Sequence, residues 1–186
     1  MTQTLVNHRT RSVPRRGAGT ARRVLSWIKC DVLLVPTGIL TMADAITGET
    51  AETSRRWGRP ADKPARGSAV FGMGLASAVM GLMSWFLLML LLISVVRGPF
   101  YGLVEHGPYG PGTWGGPTRA GAWAVHAAVS IPIIVLIPFV LRGVAALHAA
   151  LVRTVYGAST AKWVLPATIV FCAGGMLFFW SWIQQL

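Results

Sequence analysis

Apolar residues in this chain are gathered into long runs, which basic or Gly/Pro-rich segments separate. Three runs are long enough to cross a bilayer as helices, which takes about 20 residues. They cover residues 68–96, 121–141 and 163–183, and none contains Asp, Glu, Lys or Arg. Trp163 and Trp180 bound the last run with an aromatic residue near each end, as at the two interfaces of a membrane. The pattern predicts an all-α polytopic integral membrane protein with three transmembrane helices.

A fourth apolar segment covers residues 24–48 and is harder to interpret. Its least polar part, residues 32–42, is about half the length that a span needs and contains Pro36. Both flanks of the segment are basic, whereas the positive-inside rule favours basic residues on one side only. We therefore predict a short re-entrant or interfacial element, with Trp27 at the headgroups and Lys29 and Asp31 reaching the interface. A spanning helix is the alternative.

The polar segments divide the chain and suggest its orientation. Residues 1–23 are a basic arm, residues 49–67 a basic linker, and residues 68–186 a helical membrane domain. The Gly/Pro-rich loop 97–120 cannot lie in lipid, because its backbone groups would find no partners there. Basic residues concentrate in the arm, the linker and residues 142–162, which predicts that these are cytoplasmic, with the N-terminus inside and the loop outside.

Small residues recur at four-residue spacing in the first half of the longest run. Gly74 and Ala78 form one such pair, and Ser77 and Gly81 form another. This spacing lets a second helix approach closely, so we predict a helix-packing face here.

Residues 142–157 continue the second long run as an amphipathic helix. Its apolar positions follow three- and four-residue steps at Val144, Leu147, Leu151 and Val155. We predict that this stripe docks a partner protein. The alternative is that it lies on lipid or on the last span.

Composition supports a membrane protein with an affinity for acidic lipids. The chain has 186 residues, of which 53% are hydrophobic and 12% charged, and its formal net charge is +11. The basic residues flank apolar runs and lack an aromatic platform, so they favour anionic headgroups over nucleic acid. Cys30 and Cys172 lie in or beside apolar runs, as free thiols do. Abundant Arg, Ala and Gly suggest a GC-rich bacterial genome.

Few residues suggest chemistry. Glu105 and His106 are the titratable acid and imidazole of the predicted external loop, so a sensing role is possible there. His126 and His148 are 22 residues apart, about 33 Å on a helix, so they cannot share one haem within a chain. The three spans lack carboxylates, and no nucleotide, metal or nucleophile motif occurs. We expect no enzymatic activity, no metal and no cofactor.

The central stretch resembles a known family. An apolar run ends in RGPFYGL, a loop ends in WGGPTRAGAWAVHA, and a span runs into PFVLRGVAALHAALVRTVYG. This order resembles the sensor domain of actinobacterial membrane histidine kinases and related small membrane proteins, over about residues 71–157. The matching positions are Pro138, Arg142, Leu147, Leu151, Arg153 and Gly157. In the kinases a catalytic region follows the amphipathic helix, whereas here Trp163 begins another span.

These observations lead to an expected function. We expect a non-catalytic, sensor-like or interaction module of a bacterial inner membrane, acting through another membrane protein or as a homo-oligomer. The alternative is an accessory subunit of a larger membrane complex, for example a respiratory one. A haem-binding electron-transfer subunit ranks last.

Overall fold

The computed structural model describes residues 16–58, 65–157 and 161–185. Helices in these ranges are α1 (Arg16–Thr47), α2 (Thr50–Arg56), α3 (Gly67–Arg97), α4 (Tyr101–Val104), α5 (Arg119–Val155) and α6 (Val164–Ile183). Four of them, α1, α3, α5 and α6, are long and apolar enough to cross a membrane. The prediction of an all-α polytopic membrane protein is confirmed.

The four long helices run up and down around α3, which contacts each of the other three. We call the end where α3 meets the loop the loop end, and the end where α1 meets α2 the linker end. Near the linker end, Met73 of α3 packs with Leu151 of α5 and Val164 of α6. Towards the loop end, Phe86 of α3 meets Phe179 of α6 edge-on. Thus α6 is parallel to α3, and α5 is antiparallel to it.

The segment predicted to be short and re-entrant belongs to α1, which is continuous for 32 residues. A re-entrant element must turn back to its own face, and a continuous helix does not. The candidate span within α1 is Ile28–Thr47, and α1 lies antiparallel along α3. The structure therefore favours the spanning alternative. Gly17 and Gly19, which belong to the basic arm, lie inside α1.

A contact with α3 explains why α1 continues through Pro36. Proline has no N–H, so the carbonyl of Val32, four residues earlier, loses its helical donor. The indole Nε1 of Trp85 on α3 donates to that carbonyl at 3.0 Å. The hydroxyl of Thr37 donates to the carbonyl of Leu33 at 2.6 Å. The indole of Trp85 thus takes the place of the one bond that the proline removes, and the hydroxyl of Thr37 adds a bond beside it.

The small residues of α3 lie where α1 approaches most closely. A Cβ added at Gly38 of α1 would lie 2.7 Å from the carbonyl oxygen of Gly74 and 2.7 Å from the backbone N of Ala78. A Cβ added at Gly81 would lie 2.6 Å from the backbone N of Val35. Ser77, in contrast, forms a hydrogen bond with His148 of α5. Glycine allows the two backbones to touch at these positions.

The apolar stripe of α5 is buried within the chain. Val144 and Leu151 are 2% and 3% exposed, and Leu147 and Val155 are half-buried against the same core. The core contacts come from Leu34 and Met80 as well as from α6. These contacts favour the alternative, in which the stripe packs within the chain, and they leave little of it for docking a partner.

A crossing α1 also changes the predicted topology. We expected the arm and the linker on one side of the membrane, but α1 carries the chain from the loop end to the linker end. Residues 1–15 lie outside the described residues; α1 begins at Arg16. Basic residues then occur at both ends of the bundle, so charge alone no longer selects the orientation. The external position of loop 97–120 stays a prediction.

The close approach of α1 and α3 predicts the effect of adding one methyl group. Gly81→Ala should destabilise the protein by about 1–3 kcal/mol, because the backbone of Val35 occupies the space. Gly72→Ala is the matched control on the same helix, since its Cβ would have no neighbour within 4 Å. It should be neutral or stabilising by up to about 1 kcal/mol. Unfolding in one detergent compares the two, and equal stability would contradict the packing.

The four-helix arrangement predicts which positions share a membrane face. Single cysteines replace Leu25, Glu49, Gly112 or Gln185, which are exposed, in a background without Cys30 and Cys172. An impermeant thiol reagent should label the cysteines at positions 25, 112 and 185 from one side of the membrane and the cysteine at position 49 from the other side. Labelling of Leu25 together with Glu49 would show that α1 does not cross. Labelling of Gly112 in intact cells would establish the outward loop.

Candidate functional site

An ion pair fastens α2 to the end of α1. Nη1 of Arg56 lies 2.6 Å from Oδ2 of Asp44, and both side chains are mostly buried. The hydroxyl of Thr53 donates to the same oxygen at 2.7 Å. Two donors on one short helix thus share one carboxylate oxygen, and such charge-assisted bonds are about twice as strong as neutral ones.

Trp57, directly after α2, extends this network into the bundle. Its Nε1 donates to the hydroxyl of Thr41 on α1 at 3.1 Å. Its ring lies 4.8 Å from the ring of His148 on α5. Nε2 of His148 is 2.9 Å from the hydroxyl of Ser77 on α3. One tryptophan therefore connects the linker to three membrane helices.

The histidine tautomer follows from the serine. The hydroxyl of Ser77 donates to the carbonyl of Met73 at 2.7 Å. A serine hydroxyl has a single proton, so when that proton is donated to Met73, Nε2 of His148 donates to the oxygen of Ser77. His148 is 3% exposed and has an internal partner.

Tyr156 lies beside this ion pair, just after α5 ends. Burial raises the pKa of its phenol, the negative charge of Asp44 raises it further, and Arg56 opposes the shift. Within the described part of the chain its buried hydroxyl has no hydrogen-bond partner. We call Asp44, Thr53, Arg56, Trp57, Thr41, His148, Ser77 and Tyr156 the linker-end cluster.

A second group of contacts holds the loop on α5 at the opposite end. The ring of His126 stacks on Tyr101 with centroids 3.8 Å apart and planes 10° apart. Nε1 of Trp123 donates to the carbonyl of Pro99 at 2.8 Å. Arg119, at the start of α5, donates to the carbonyl of Gly102. We call these residues the loop-end cluster.

The predicted sensing pair lies beside this cluster. Glu105 is 3.5 Å from Arg97 across an exposed ion pair, Nη2 to Oε2. Exposed ion pairs of this kind contribute about 0–1 kcal/mol. His106 is exposed. The histidine that stacks on the loop is His126 and not His106.

The linker-end cluster was not predicted from the sequence, because its members lie in four separate segments of the chain. Asp44 and Arg56, for example, are 12 residues apart, and no local pattern pairs them. A tryptophan within a polar linker, Trp57, was the one available signal. Such a residue seeks an apolar surface and a partner for its N–H.

Asp31 also differs from expectation. We predicted that it would reach the interface, but it is completely buried, and its two carboxylate oxygens have no hydrogen-bond partner among the described residues. Asp31 and Asp44 both lie within the candidate span of α1. The argument from three spans without carboxylates therefore does not extend to the fourth helix.

The described residues contain no group of three His, Cys, Asp or Glu side chains that could hold a metal ion. His126 and His148 lie on one helix, about 33 Å apart at 1.5 Å per residue. His126 also engages the carbonyl of Ala122 through Nδ1 at 2.8 Å. Both histidines thus contact neighbours in the chain, at opposite ends of the bundle.

The linker-end ion pair predicts that removing the charge of Asp44 destabilises the protein much more than removing the charge of an exposed carboxylate. Asp44→Asn should destabilise the protein by about 1.5–3 kcal/mol, because Arg56 and Thr53 lose a charged acceptor. Glu52→Gln is the matched control; it also removes a pairing carboxylate, but its pair with Arg55 is exposed. The control should change stability by less than about 1 kcal/mol. Unfolding of both variants in one detergent provides the measurement, and equal losses would contradict a structural ion pair.

Comparisons with protein-family models, with curated proteins and with solved structures found no match to this chain.

Proposed function

We propose that this protein is a non-catalytic, sensor-like module of a bacterial inner membrane that acts through a partner protein. The observation that carries the proposal is the position of α5. This single helix of 37 residues holds the loop at its beginning and contacts the linker-end cluster near its end. A helix anchored in this way can pass a displacement from one membrane face to the other.

The input would be the loop. It is attached to α5 by the stacking of Tyr101 on His126 and by the bonds from Trp123 and Arg119. Gly98, where α3 ends, also lies against Ser130 of α5. A ligand or charge change that moves the loop would therefore move the start of α5.

Between the two clusters, α5 contains Pro132 and Pro138. Each proline removes one helical hydrogen bond, so the helix bends more easily there. Bending at these positions would displace His148 relative to α1 and α3. Because the ring of His148 contacts Trp57, the displacement would reach α2.

The output would be the exposed face of α2. Ala51, Glu52 and Arg55 are exposed, whereas Thr53 and Ser54 are buried against the bundle. This face replaces the buried stripe of α5 as the surface for a partner. The resemblance of residues 71–157 to kinase sensor domains supports a signalling role, with the output passed to another chain.

A distance measurement across the linker end tests the relay. Spin labels at Ala51→Cys on α2 and Leu165→Cys on α6 report the position of α2, in a background without Cys30 and Cys172. Tyr101→Ala removes the stack on His126 at the far end and should shift or broaden the distance distribution. Leu103→Ala is the matched control, because Leu103 lies on the same short helix but is 60% exposed. Its distribution should equal that of the parent protein.

The outcomes separate the proposed functions. Identical distributions in the parent protein and in Tyr101→Ala would show that the two ends are not coupled, and the relay would be wrong. A photocrosslinker at Arg55 tests for the partner in native membranes. An adduct of one defined mass whose yield changes with Tyr101→Ala supports the sensor-like module. A stoichiometric enzyme complex unaffected by Tyr101→Ala would instead support the accessory-subunit alternative.

A further inference from the structure

An elongated groove of about 830 Å³ lies between α3, α5 and α6. Its volume is within the ~300–1,000 Å³ range of ligand pockets. Its walls are almost entirely apolar, with Leu75, Val79, Ile169 and Met176 among them. The groove opens on the side of the bundle that faces lipid, since Leu75, Ile169 and Met176 are exposed.

Small side chains create this groove. A Cβ added at Gly72, in its α3 wall, would have no neighbour within 4 Å. Ala76 on α3 and Ala173 on α6 also line it. Where α1 fills the space beside Gly74 and Gly81, no element of the described chain fills the space beside Gly72.

The length of the groove matches one leaflet of a bilayer. Its α3 wall extends from Ser68 to Val79 and its α6 wall from Leu165 to Met176. Each wall covers eleven helical steps, or about 16 Å, and half of the ~30 Å hydrocarbon core is about 15 Å. The groove begins near the linker end, where α3 and α6 start, and ends near mid-membrane.

Basic residues in or directly before the three helices lie at the linker end of the groove. Arg66 precedes Ser68 by two positions, Arg153 adjoins Thr154, and Lys162 precedes Leu165 by three. The ion pairs among the described residues include none of these three cations. The chain has no Asp or Glu after Glu105, so α5 and α6 offer no competing carboxylate.

From this combination we infer that the groove binds an anionic phospholipid of the surrounding bilayer. One acyl chain lies in the groove, and the phosphate lies near Arg66, Arg153 and Lys162. Each basic residue near the headgroups adds to the attraction for an anionic lipid. A second copy of this chain is the less suitable occupant, because it is itself strongly basic and its own linker end would bring further cations to an already basic end.

Lipid retention by the purified full-length protein tests the inference. Native mass spectrometry with added phosphatidylglycerol should show one tightly held lipid, and phosphatidylcholine should bind at least about tenfold more weakly. Arg66→Gln with Lys162→Gln should weaken phosphatidylglycerol binding by about tenfold. Lys29→Gln with Arg55→Gln removes the same charge from exposed positions elsewhere and should leave binding unchanged.

Filling the groove tests the acyl-chain part of the site. Gly72→Phe should abolish the tightly held lipid, whereas Gly143→Phe should not, because Gly143 is equally unobstructed but lies outside the groove. Ala173→Phe fills the groove from the opposite wall and serves if Gly72→Phe does not fold. A photoactivatable phosphatidylglycerol applied to the unaltered protein should attach to residues 68–79 or 165–176.

Three results would overturn the inference. Equal retention of the two lipids would show only a general lipid shell. Attachment spread over the whole apolar surface would show the same. A change of oligomeric state in Gly72→Phe, with lipid retention unchanged, would show that the groove is an interface between copies of this chain.

Discussion

The close approach of α1 and α3 is the contact on which the rest of the bundle depends. Lipid tails are as apolar as leucine, so membrane helices associate through close packing and interhelical hydrogen bonds. Here Gly38 meets Gly74 and Ala78 backbone to backbone, and Trp85 donates to the carbonyl that Pro36 leaves free. These contacts keep α1 continuous and carry Asp44 and Thr41 to the linker end.

The polar side chains at the linker end are arranged so that most of them have partners. An unpaired polar group away from water is costly, and a shared acceptor such as Asp44 lowers that cost for Arg56 and Thr53 together. The rings of Trp57 and His148 also contact each other. Tyr156 is the exception at this end, because its buried hydroxyl has no partner in the described chain. Farther along α1 towards the loop end, the carboxylate of Asp31 is a second exception, since it is buried without a partner among the described residues. That exception makes Asp31 the residue of α1 most in need of a functional explanation.

Small residues have two different consequences on α3. At Gly74 and Gly81 they admit the backbone of α1, and the helices touch. At Gly72 and Ala76 no helix of the described chain fills the adjoining space, and a groove remains beside α6. The same residue types therefore produce a tight interface on one face and a lipid-sized space on another. Which outcome occurs depends on the neighbouring helix rather than on the spacing alone.

The sequence by itself determined the fold class and the three long spans, because bilayer thickness and hydropathy act locally on each run of residues. It did not determine the continuity of α1. The donor that takes the place of the missing N–H of Pro36 is Trp85, which lies 53 residues after its acceptor Val32, so no local pattern connects the two. Nor did it decide the use of the stripe at Val144 and Leu151. A periodic apolar face indicates that the face is covered, but it does not identify what covers it. The structure shows that Leu34, Met73, Met80 and Val164 pack against it. The linker-end cluster depends in the same way on tertiary structure, because Asp44, Arg56 and His148 meet only when three helices pack together.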